Sequence, residues 1–151
     1  MATPTTTAQR VFDLAMGLMA EVNETTGATD TSDTKEYKVR TLFILNVLQG
    51  ELYPYSDTFL ATEVGKRPIL PVIDSFDSVI GMDDYVCQSV MPYGLAAHLQ
   101  LDENTANASF FMQRYEEMRD KLTRGLPQAS EPIENVYGGT CHPYNDFSRW
   151  G

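Results

Sequence analysis

A chain of 151 residues, 42% of them hydrophobic and 21% charged, can bury one good core and is too short to divide between two, and this composition excludes a wholly disordered protein. Eleven Lys and Arg stand against 21 Asp and Glu, a net charge of −10, which argues against gripping nucleic acid by neutralising phosphates. The longest apolar runs, such as Leu42 to Leu45, fall far short of the ~20 residues of a membrane span, and no basic start leads into an apolar stretch with a cleavage site, so neither a span nor a secretory signal is expected.

In chain order, Val11, Leu14, Ala15, Leu18 and Val22 form the apolar stripe of an amphipathic helix from about Thr6 to Val22. Asn23 to Thr34 is rich in residues that compete for backbone hydrogen bonds and reads as a solvated loop. Asp33 followed by Glu36 is a variant capping box that starts a second helix. Gly50 weakens the end of that helix and Pro54 stops it. Its apolar residues, Tyr37, Val39, Leu42, Phe43, Ile44, Leu45, Val47, Leu48 and Leu52, cover more than one face. That predicts either the most buried helix or a subunit contact.

From Tyr55 to Met82 the period changes, and Pro68 and Pro71 bar a central strand, so short extended segments and one small edge hairpin are expected. Asp83 or Asp84 caps a third helix reaching Leu101, bent where Pro92 and Gly94 interrupt it. Asn104 or Thr105 caps a fourth helix with Ala108, Phe111, Tyr115, Met118 and Leu122 on its inner face, while Glu117 with Lys121 and Asp120 with Arg124 are favourable pairs on its wet side. Gly125 and Pro127 end it. The fold class this predicts is mainly α: a four-helix bundle-like domain over residues 5–125, short extended or β segments between helices 2 and 3, and an extended C-terminal tail over 126–151.

That tail has no helical or strand period, yet it holds Tyr137, Tyr144, Phe147, Arg149 and Trp150. Disordered tails lack such aromatics, so it is expected to dock, on its own helices or on a neighbour. A chain end rich in Trp, Tyr and Arg suits a partner contact, and these five are the candidate partner-binding residues.

The search for chemistry yields little. His98, within a helix beside Leu95, Ala97 and Leu99, is a better core-edge histidine than a catalytic one. Cys141 and His142 are adjacent but lie between glycines and Pro143, a poor frame for a nucleophile and its base. Cys87 and Cys141 are too few for a disulfide framework and lack a paired metal spacing, which makes a reducing compartment the default. Asp74, Asp77, Asp83 and Asp84 are the densest acidic run, but their spacing is not that of a calcium loop, and a solvated turn with a helix cap is preferred. No phosphate loop, nucleophile elbow, zinc-protease or dinucleotide motif occurs, so no catalytic residue, cofactor or metal is assigned.

The run from Val90 to Asn104, VMPYGLAAHLQLDEN, followed by ASFFMQRYEE from Ala108 to Glu117, pairs a small-residue helix with a second helix across an acidic break. This arrangement, with the long second helix from Asp33, resembles the head-to-tail connector or adaptor proteins of tailed bacteriophages over about residues 5–124. The resemblance implies a structural, non-enzymatic virion protein at the neck, made in the bacterial cytoplasm. Such a subunit assembles in a ring, commonly twelvefold, docks beneath the portal protein and extends the DNA exit channel toward the next neck or tail protein. DNA would be passing cargo only, with no membrane contact, and net negative charge suits a channel for a polyanion. The terminal segment would grip the portal or a neighbouring copy. Alternatives are another neck or tail-completion protein, a non-catalytic binding module acting as monomer or dimer, and a small hydrolase using Asp74 or Asp77.

Overall fold

The computed structural model describes residues 3–21, 23–56 and 69–125. It is mainly helical, in the order α1 (Ala8–Leu18), α2 (Lys35–Leu52), a short 3-10 turn (Tyr53–Tyr55), α3 (Asp84–Ser89), α4 (Met91–Gln100) and α5 (Thr105–Gly125). The candidate tail residues Tyr137, Tyr144, Phe147, Arg149 and Trp150 lie outside the described residues, as does the rest of 126–151.

The core is organised around α4. Met91, Leu95, Ala96, Ala97 and Leu99 are all buried, so the helix is apolar on nearly every side. It packs most extensively on α5, and also on α1, α2 and α3. Gly94 is what lets two of these neighbours close in. A Cβ there would lie 2.9 Å from Leu48 Cδ2 on α2 and 3.0 Å from the Tyr115 ring on α5, closer than ordinary carbon contacts permit.

Three sequence expectations are corrected. The continuous, bent third helix is two helices, α3 and α4, broken at Val90. Pro92 occupies the first turn of α4 instead of kinking a longer rod, because an N-terminal position leaves the missing N–H without cost. The Asp33 capping box does not form. Thr34 is the cap residue of α2, and no side chain caps that end. The Thr34 hydroxyl is turned back into the preceding loop, donating to the Thr29 carbonyl at 2.7 Å and accepting from the Thr31 amide at 2.9 Å.

The third correction concerns the extended segments. Among the described residues there is no strand, and residues 69–82 pair with the N-terminus instead of with one another. An isolated antiparallel bridge joins Thr7 to Val79. The Ala8 and Gln9 amides donate to the Ser78 and Phe76 carbonyls, and the Ile80 amide donates to the Thr6 carbonyl. Asn46 on α2 takes both polar groups of Ile73, accepting from its amide at 2.8 Å and donating to its carbonyl at 2.9 Å. No hairpin forms within 69–82, and residues 57–68 of the expected stretch lie outside the described residues.

The remaining elements stand close to expectation. The inner face of α1 holds Ala8, Val11, Phe12, Ala15 and Met16, so Phe12 and Met16 take the places expected for Leu14 and Leu18. On α5, Ala108, Phe111 and Tyr115 are buried, and Met118 and Leu122 pack against the core. Asn104 caps α5, accepting from the Asn107 amide at 3.1 Å. Glu117 pairs with Arg114 at 3.1 Å, one turn before it, in place of the expected Lys121.

Candidate interaction surface

Helix α2 carries apolar side chains all round, and three of its nine stay outside the core. Tyr37, Thr41, Leu45, Leu48, Gln49 and Leu52 face inward and are buried. On the opposite side, Val39, Phe43 and Val47 are 70%, 75% and 62% exposed. Their spacing of four places them in one ridge along the helix. Glu36 and Gly50, also exposed, lie on the same face, three residues beyond its two ends.

The ridge does not stand alone. Asn46 lies on its flank, and through its two bonds to Ile73 it holds the segment 69–73 against α2. Val72, beside Ile73, and Ile69 further along are 76% and 96% exposed. On the same side Lys35, Lys38, Val39, Leu42 and Phe76 line a shallow, largely apolar hollow of about 390 Å³. The Phe76 ring meets Phe12 edge-on at 5.8 Å, and the Lys38 ammonium sits 4.8 Å over its centroid. Phe76 thus ties the core to the outer surface. Single exposed apolar residues are ordinary, whereas three aligned along one helix face make a candidate interaction surface.

Polar contacts fix the edges of this face. Lys38 pairs with Asp30 at 2.6 Å. Arg40 donates to the His98 carbonyl at 3.1 Å and pairs with Asp102 at 3.5 Å, which ties α2 to the end of α4. The Tyr37 hydroxyl donates to Glu103 in the turn after α4; burial, then that carboxylate, raise its pKa well above the ordinary phenol value. At the other end of α2, Glu51 accepts from the Tyr115 hydroxyl at 3.2 Å and pairs with Arg119 at 3.7 Å. Burial and then Glu51 likewise raise the Tyr115 pKa.

The residues considered for chemistry are dispersed. Asp74 accepts from the Ser78 hydroxyl at 3.0 Å, and Asp77 is exposed. Asp83 accepts from the Ser56 hydroxyl, while Asp84 binds the N-terminal segment through both oxygens. Among the described residues no group of three or more His, Cys, Asp and Glu gathers to hold a metal ion. Cys87 is buried, and that burial, with the nearby Asp83 and Asp84 carboxylates, pushes its thiol up to about 12. At neutral pH it is a protonated core residue and a poor nucleophile. His98 is half-buried at the rim of a second groove of about 510 Å³ between α4 and α5, with Leu101, Ala108 and Met112. Cys141 and His142 lie outside the described residues.

The ridge of Val39, Phe43 and Val47 was not separable in the sequence from the buried residues interleaved with it. The visible signal was an apolar set wider than one face. No helix among the described residues is long and apolar enough to cross a membrane. No protein-family model matches the chain, and no match was found among curated proteins or solved structures.

Proposed function

We propose that this chain is a structural assembly subunit and not an enzyme, and specifically a head-to-tail connector of a tailed bacteriophage that docks as a ring beneath the portal. The observation that carries the assembly reading is the exposed ridge of Val39, Phe43 and Val47, extended by Ile69 and Val72. The choice of connector rests on the resemblance carried by residues 90–117. In this reading α1, α2, the broken pair α3 and α4, and α5 make a four-helix bundle-like domain. Residues 126–151 are its docking arm, with Tyr137, Tyr144, Phe147, Arg149 and Trp150 as anchors on the portal or a neighbouring copy. The net charge of −10 keeps a passing polyanion from sticking to the channel. A second reading, a non-catalytic binding module, is favoured by the open groove between α4 and α5.

The test is affinity purification of the tagged chain from cells making complete particles, followed by native mass determination. Recovery in a large complex with the portal subunit is the expected result and fixes the stoichiometry. Recovery without portal, when portal is present in the lysate, rejects the connector and leaves the binding module.

A further inference from the structure

We draw no further inference here: the strongest candidate, the largely apolar groove lined by Leu14 and Leu18 of α1, Pro92 and Tyr93 of α4 and Met118 of α5, carries nothing because the Asp13 carboxylate on its rim already accepts from Gln9 and Thr29 and nothing in the structure shows what covers it.

Discussion

Helices α2 and α4 are both apolar around much of their circumference, and the fold treats them differently. Helix α4 is enclosed because its side chains are small where neighbours crowd it. Gly94, Ala96 and Ala97 leave room for α2 and α5 to approach, and Met91, Leu95 and Leu99 fill the remaining space. Helix α2 carries larger residues on both sides, and the described residues cover one side only. Apolar content sets how much surface seeks burial, but the size of the side chains decides how many neighbours can reach it.

The comparison can be broken most severely at Leu95. It is fully buried on the enclosed helix, so Leu95→Ala should destabilise the protein by about 2–5 kcal/mol through lost transfer energy and the cavity left behind. Urea denaturation followed by circular dichroism measures this, and a loss below 1 kcal/mol would show that α4 is less enclosed than described. Gly94→Ala tests the same helix from the opposite direction. The added methyl would overlap Leu48 and the Tyr115 ring. Overpacking of this kind costs about 1–3 kcal/mol, offset by the ~1 kcal/mol that alanine gains in a helix.

The same substitution on the other helix should have the opposite sign. A Cβ at Gly50 meets no atom of the described residues within 4 Å, so Gly50→Ala should stabilise the protein by about 1 kcal/mol. Thermal unfolding measures the gain. A loss of stability would mean that Gly50 is crowded after all.

Much of this architecture was legible in the sequence. The 3 and 4 spacing of Ala108, Phe111, Tyr115, Met118 and Leu122 located the inner face of α5, because one long helix with one buried stripe needs only local information. The break at Val90 was not legible, since Pro92 is compatible with kinking a helix or with starting one, and the choice depends on how α3 and α4 pack. The expectation that α2 is the most buried helix, or else a contact, named its apolar residues but could not divide them into inner and outer sets. Partition requires knowing how many neighbours are available, a property of the whole fold. The Asp83 and Asp84 positions were legible as a helix start. Their actual partners, Ser56 and the N-terminal Thr5 and Thr6, are set by contacts more than 25 residues away in the chain.

The smallest expected effect concerns how α1, one of the covers of α4, is entered. The Asp84 carboxylate accepts from the Thr5 amide and hydroxyl at 2.9 and 2.8 Å, and from the Thr6 amide and hydroxyl at 2.9 and 2.7 Å. These donors, the Thr5 amide foremost, hold its pKa well below the usual carboxylate range. A carboxylate with a depressed folded pKa contributes its full stability above its unfolded value of about 3.9, and loses that contribution as pH falls through the folded value. Asp84→Asn has one acceptor oxygen where four donors converge, so it should remove the contribution at neutral pH and flatten the acid limb of stability against pH. Amide exchange locates the change. The Thr6, Ala8 and Ile80 amides should exchange faster in the variant, since they lie in the strap that Asp84 holds, while Phe12 and Met16 keep their protection because packing on α4 covers them. Equal acceleration at Phe12 would mean instead that α1 is held on α4 by its entry and not by its buried face.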